Sequence, residues 1–253
     1  KGIPHAFFKW ANKCKISVNL PMRPHRAFVQ TIQSELELSG REARHLADVL
    51  RARPGDVLTV FDGKGLEGRA VILSADSGLV SLRVNETWTA SRETPQPVTL
   101  YVALLKGDKL ADVARAATEL GVAAIVPVLT QHCVVREMGE SKLLRLRRVV
   151  VEAAKQCERS VVPEVKPVIS LKLIPRVEQG FVAHPGSSAR VRDSFDPDKP
   201  AALLTGPEGG LAVSEIEILE AKGFTPVTLG PRILRAETAP VALLSLVTAG
   251  EGL

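Results

Sequence analysis

Cysteine is scarce in this 253-residue chain: there are three, Cys14, Cys133 and Cys157, far apart and in no CxxC pattern. So few, and an odd number, exclude a disulfide framework and a cysteine-based zinc site, and they point to a reducing, cytoplasmic setting. The five histidines are equally scattered, so no metal site is expected. Phe, Trp and Tyr make up only 4% of the chain, too few for the broad stacking platforms of single-strand-binding proteins. No run of about 18 apolar residues occurs, which excludes a helical membrane span. The N-terminus mixes Lys1, Lys9 and Lys13 with Phe7, Phe8 and Trp10. It has neither the continuous apolar stretch nor the small-residue cleavage site of a signal peptide. Walker, HExxH and GxSxG motifs are all missing.

What is present reads as a globular protein, with 45% apolar and 24% charged residues. Net charge is +5, a modest bias towards polyanions. Arginines concentrate early, at Arg23, Arg26, Arg41, Arg44, Arg51 and Arg53. Met22 begins a stretch that reads as a natural start, so residues 1–21 are expected to stand outside the fold.

Two rhythms divide the rest. Residues 22–90 carry short alternating or β-branched runs, at 27–29, 57–61, 69–73 and 79–84, separated by Gly, Asp and Ser. One helix, capped by Ser39 and running through His45 to Leu50, interrupts them before Pro54-Gly55. This spacing predicts a small β-barrel. A linker rich in Thr, Ser, Glu and Pro follows at 87–97. From about 97 to 253 strands and helices alternate, with strands at 98–105, 123–128, 181–183, 201–204 and 227–229. Helices are expected from Asp108 to Leu120, from 141 to 159, from a Ser214/Glu217 capping box through Ala221, and from 238 to 249. This pattern means an α/β domain with a parallel sheet, whose ligand sits beyond the C-terminal strand ends.

One motif is a decoy. Gly63-Lys64-Gly65-Leu66-Glu67-Gly68 matches GxGxxG, but a dinucleotide site needs a helix next and the sequence continues as a strand. The glycines read as a hairpin turn.

The chemistry lies in two glycine-containing segments after predicted strands, Leu203-Leu204-Thr205-Gly206-Pro207-Glu208-Gly209-Gly210 and Leu229-Gly230-Pro231-Arg232-Ile233-Leu234-Arg235-Ala236-Glu237-Thr238-Ala239. Glycine lets a ligand approach the backbone, and free amides and carbonyls can hydrogen-bond an adenine edge. Composition alone leaves plain strand-to-helix turns equally open.

Together these loops resemble the cofactor signature of the SPOUT methyltransferase superfamily, and more closely the family that methylates N3 of a uridine in bacterial 16S rRNA. Lys106-Gly107-Asp108-Lys109, Thr118-Glu119-Leu120-Gly121-Val122, the run from Glu152 to Arg159, and the His45–Arg51 segment agree in order. The match runs from about Arg23 to the end; Cys157 and Glu158 depart from it. The resemblance implies a PUA-like β-barrel for RNA binding, then a SPOUT domain whose C-terminal chain threads a trefoil knot. It also implies a homodimer with S-adenosylmethionine as cofactor and 16S rRNA of the small ribosomal subunit as partner. The cofactor would be held by His184, Pro185, Leu204, Thr205, Gly206, Gly210, Leu229, Gly230, Ile233, Leu234 and Arg235.

N3 of uracil is a poor nucleophile until its proton leaves, so a base or a charge-stabilising cation is needed. Arg159 and Arg235 are the candidate cations and Glu208 the candidate base. Arg23, Arg26, Arg51, Arg53 and Lys106 are candidate phosphate contacts. His25, His45 and His132 are expected to be structural or RNA-facing, and Cys133 to pack in the core. Two alternatives remain: a related enzyme acting on a tRNA base or ribose 2′-hydroxyl, and a non-catalytic RNA-binding assembly factor.

Overall fold

The computed structural model describes residues 25–248 except Ser77 and Ser91. The expectations for residues 1–21, and for Arg23, lie outside the described residues.

The first half is a curled five-stranded sheet built from β1 (His25–Phe28), β2 (Glu35–Ser39), β3 (Val57–Phe61), β4 (Leu66–Ala75) and β5 (Leu79–Thr89), in the order β1-β3-β4-β5-β2. Its inward positions close a core of Ala27, Leu38, Leu46, Leu58, Val60, Ile72, Val80 and Leu82. The GxGxxG segment is indeed a hairpin, with β3 and β4 antiparallel. Gly63 and Gly65 take φ of 74° and 110°, values a side chain disfavours.

Three details differ from expectation. β2 was not anticipated: its alternation is short, and Ser39 reads as a helix cap. Ser39 does precede a helix, α1 (Gly40–Arg44), but makes no side-chain cap bond, and the chain winds into a π turn at His45–Val49. β5 extends through Thr89, pairing Thr87, Trp88 and Thr89 with β4, so the expected linker begins inside the barrel.

The second half is a parallel sheet of seven strands. β6 (Val98–Ala103), β7 (Ala124–Leu129), β8 (Glu164–Val165), β10 (Gly180–Ala183), β11 (Ala201–Thr205) and β12 (Phe224–Val227) lie in the order β12-β10-β11-β6-β7-β8, with β9 (Ile169–Ser170) also paired to β7. The helices are α2 (Lys109–Glu119), α3 (Glu140–Gln156), α4 (Val213–Glu220) and α5 (Thr238–Thr248). Because β6 and β11 are covered on both faces, their sequences are almost wholly apolar. Leu100, Val102 and Leu203 face one core with Leu110, Val113, Leu146 and Leu243. Tyr101 and Leu204 face the other with Val128, Ile216, Leu219 and Phe224.

Helix ends follow local chemistry. α2 stops where Gly121 takes φ of 87°, and α3 stops where Glu158 takes φ of 64°. α4 is capped by Glu215, whose Oε2 accepts the Ala212 N–H at 3.0 Å; the expected Ser214/Glu217 box lies two residues too late. Asp108 precedes α2 without capping it by its side chain. Its carboxylate is taken instead by Arg145, at 2.7 and 3.0 Å. Among the described residues no helix is long and apolar enough to cross a membrane, and no group of three or more His, Cys, Asp or Glu could hold a metal ion.

Candidate functional site

The three neighbouring strands β10, β11 and β12 end together, and the loops that leave them enclose a cavity of about 980 Å³. From β10 come His184, Pro185, Gly186 and Ser187; from β11 come Thr205, Gly206, Glu208, Gly210 and Leu211. The long loop after β12 contributes Leu229, Gly230, Ile233, Leu234, Arg235 and Glu237. This is where an open parallel sheet presents its ligand site.

Several features mark a binding surface. The Thr205 hydroxyl is buried and has no hydrogen-bond partner, an arrangement that costs about 1–3 kcal/mol unless a ligand or water completes it. Gly206 leaves little room for a side chain: a Cβ there would meet Leu211 Cγ at 3.0 Å and the Gly210 carbonyl carbon at 3.3 Å. Gly210 and Gly230 take φ of 71° and 106°, and nothing crowds the space a Cβ would take. His132, at the exit of β7, braces the first loop, with Nδ1 3.1 Å from the Gly209 carbonyl. Thr228 Oγ1 accepts the Gly230 N–H at 3.1 Å and shapes the second loop.

Lys109 lies between two carboxylates, and the charge of Arg235 also reaches one of them, Glu237. Lys109 Nζ donates to Glu208 Oε1 at 3.2 Å and sits 3.3 Å from Glu237 Oε2. Burial pushes the Glu208 carboxyl up, but its own backbone N–H, the Lys109 ammonium and the Lys106 N–H outweigh it and hold it below its usual range. The Glu237 carboxyl is lowered mainly by its own backbone N–H, then by Lys109. Lys109 is correspondingly raised, by Glu208 first and Glu237 second.

Residues 92–248 match the family model described as an RNA methyltransferase domain, and residues 38–85 match that of the RNA methyltransferase PUA domain. The ribosomal RNA small subunit methyltransferase E of Synechocystis is 36% identical, over 87% of this chain and 75% of its own length. The chain belongs to the ribosomal RNA small subunit methyltransferase E family. Among solved structures, a Legionella pneumophila protein in complex with bound SAM superposes with a TM-score of 0.85 at 32% identity, covering 90% of this chain and 98% of its own. The methyltransferase E of Neisseria gonorrhoeae, bound to S-adenosyl methionine, gives 0.83 at 30% identity, with the same coverages.

Within this methyltransferase E fold, the expected cofactor residues gather in one place with one exception. His184, Pro185, Thr205, Gly206, Gly210, Leu229, Gly230, Ile233, Leu234 and Arg235 all line the cavity, as does Glu208. Leu204 does not; it is wholly buried against β10 and β6 in the apolar core. Lys109, Leu211 and Glu237 line the cavity and were not singled out. Glu237 lies inside the quoted loop, but its partner Lys109 is more than a hundred residues away and carries no local signal.

Arg159 lies elsewhere. It is 3% exposed, and four of its N–H groups are committed: to both Glu93 oxygens and to the Thr118 and Val122 carbonyls. Arg26 is likewise enclosed, pairing with Glu67 at 2.8 Å and lying over the Phe61 ring. Glu67 is 2% exposed and also receives Trp88, Arg92 and Ser160. These residues join the barrel to the catalytic half. Arg51, Arg53 and Lys106 are exposed. His25 and His45 line a separate cleft of about 390 Å³ between the barrel and α3. Cys133 is buried in the core, as expected.

Proposed function

We propose that this chain transfers the methyl group of S-adenosylmethionine to N3 of a specific uridine in the 16S rRNA of the small ribosomal subunit. The observation that carries this reading is the cavity enclosed by the loops after β10, β11 and β12, with an orphan Thr205 hydroxyl and loop backbone where a nucleoside edge would bind. Its residues fit S-adenosylmethionine: uncharged backbone donors and acceptors for the adenine, and apolar Leu211, Leu229 and Leu234 for its faces. The solved relatives that carry this cofactor support the assignment.

When bound, S-adenosylmethionine supplies a methyl group that is already activated. The residues of the chain must then orient the uracil and favour loss of its N3 proton. Arg235, exposed at the cavity wall, would stabilise negative charge on the uracil oxygens. Burial raises the Glu208 carboxyl, but its own backbone N–H and the Lys109 ammonium together hold it below its usual range, which lowers its affinity for a proton. We therefore assign it to anchoring its loop rather than to the base role. Arg159, committed to Glu93, is assigned to the junction between the halves.

Arg51, Arg53 and Lys106 would neutralise rRNA phosphates, while Arg26 orients the barrel through Glu67 and Arg23 extends the same basic stretch. The family resemblance supports a cytoplasmic homodimer; Ile233, 87% exposed at the cavity edge, is an apolar side chain a second copy would cover. It also supports a trefoil knot. Consistent with that, α5 packs back on β6, β11 and the turn at Val191–Asp193, and the Thr228 N–H bonds the Ala189 carbonyl.

The test offers labelled S-adenosylmethionine with small subunits, naked 16S rRNA or tRNA, each from cells lacking the native modification. Label in small subunits or 16S rRNA supports the reading. Transfer to tRNA alone would move the substrate, and cofactor binding without transfer to any RNA would indicate an assembly factor.

A further inference from the structure

We propose that Lys109 is a positioning residue: its single ammonium holds the two cofactor loops in register by bridging Glu208 of the first and Glu237 of the second. The inference rests on the cofactor assignment above and deepens it. The two loops leave different strands, and this cation reaches both, 3.2 Å from Glu208 and 3.3 Å from Glu237. Glu237 Oε2 is buried and lacks hydrogen-bond geometry to any group; the Lys109 ammonium is its near cation, with a weaker contribution from the charge of Arg235.

Lys109 is itself held firmly. It follows a tight turn in which Gly107 takes φ of 61°. Two side chains of α3 pin that turn: Arg145 grips the Asp108 carboxylate, and Lys142 donates to the Gly107 carbonyl at 3.3 Å. The Lys106 N–H adds a contact of 3.4 Å to Glu208. A continuous path thus runs from α3 through the turn at 106–109 into both loops. Without the ammonium, Glu208 and Glu237 would face one cavity with no cation bridging them, Arg235 reaching only Glu237, and the loops would separate.

The experiment measures S-adenosylmethionine affinity by calorimetry, with kcat and both KM values, for wild type, K109M, K109R and the triple variant K109M/E208Q/E237Q. K109M is expected to weaken cofactor binding about tenfold or more, leaving the KM for rRNA unchanged. K109R should retain most of the affinity, and the triple variant should fall between K109M and wild type because it removes the stranded charges. Wild-type cofactor affinity in K109M overturns the proposal. So does a fall in kcat with cofactor affinity intact, which would place Lys109 on the RNA substrate. If K109M does not fold, the triple variant decides: weakened cofactor binding supports the bridge and wild-type binding overturns it. A wild-type protein that binds no S-adenosylmethionine would instead defeat the cofactor assignment itself.

Discussion

Arg159 and Glu93 form a two-point ion pair: Nε donates to Oε1 at 3.1 Å and Nη2 to Oε2, with the guanidinium almost wholly buried. Glu93 belongs to the connection between the halves and Arg159 follows α3, so the pair fastens the linker to the catalytic half. Removing Arg159 strands a carboxylate and two carbonyls. Arg159→Ala should therefore cost about 2–4 kcal/mol of stability, at or just below the range for breaking a buried pair because Glu93 is partly exposed. Urea unfolding checks this. Wild-type stability combined with lost turnover would return Arg159 to a catalytic role.

Glu67 makes stability depend on pH in a stated direction. Burial pushes its carboxyl up, but hydrogen bonds from Ser160 and Arg26 and the charges of Arg26 and Arg92 lower it below 4.5 overall. A carboxyl depressed in the folded state contributes stability that is fully present above the unfolded value and is lost as pH falls through the folded one. The acid limb of the melting temperature, from roughly pH 5 downward, should be shallower in Glu67→Gln than in wild type. Identical limbs would show that folding does not depress the Glu67 carboxyl.

Thr205→Val separates binding from folding. Valine keeps the shape and removes the orphan hydroxyl, so the free protein should be as stable as wild type or slightly more so. Affinity for S-adenosylmethionine should fall about tenfold. Thermal melts with and without cofactor read both. A destabilised free protein with unchanged affinity would mean that the hydroxyl serves the fold.

The basic surface of the barrel is testable by charge reversal. Exposed Arg51 and Arg53, changed together to Glu, should weaken binding to 16S rRNA and reduce the salt slope by about one per lost phosphate contact. Cofactor affinity should not move. An unchanged slope would remove both residues from the RNA-binding surface.

Much of the fold was legible because its signals are local. The continuous apolar runs of β6 and β11 and the glycine after α2 announce a parallel sheet and a helix stop. The loops after β11 and β12 were found for the same reason, since glycine and proline cluster where strands end. What was missed depends on distant partners or on facing. Leu204 and Thr205 are adjacent in a run buried on both sides; composition cannot say that the first fills the core and the second opens on the cavity. Arg26 and Arg159 read as free cations until Glu67 and Glu93, 41 and 66 residues away, are seen beside them. Lys109 carries no local signal of its role, because the carboxylates it bridges converge only in the folded chain. In the barrel, β2 was hidden by its brevity and by a serine that suits both a strand end and a helix start.

The most direct test of the account is the identity of the methylated nucleoside. Purified protein, labelled S-adenosylmethionine and small ribosomal subunits lacking the native modification would be combined, and the 16S rRNA digested to nucleosides. The account predicts label in 3-methyluridine at a single position. Label confined to another base or to a ribose would contradict it.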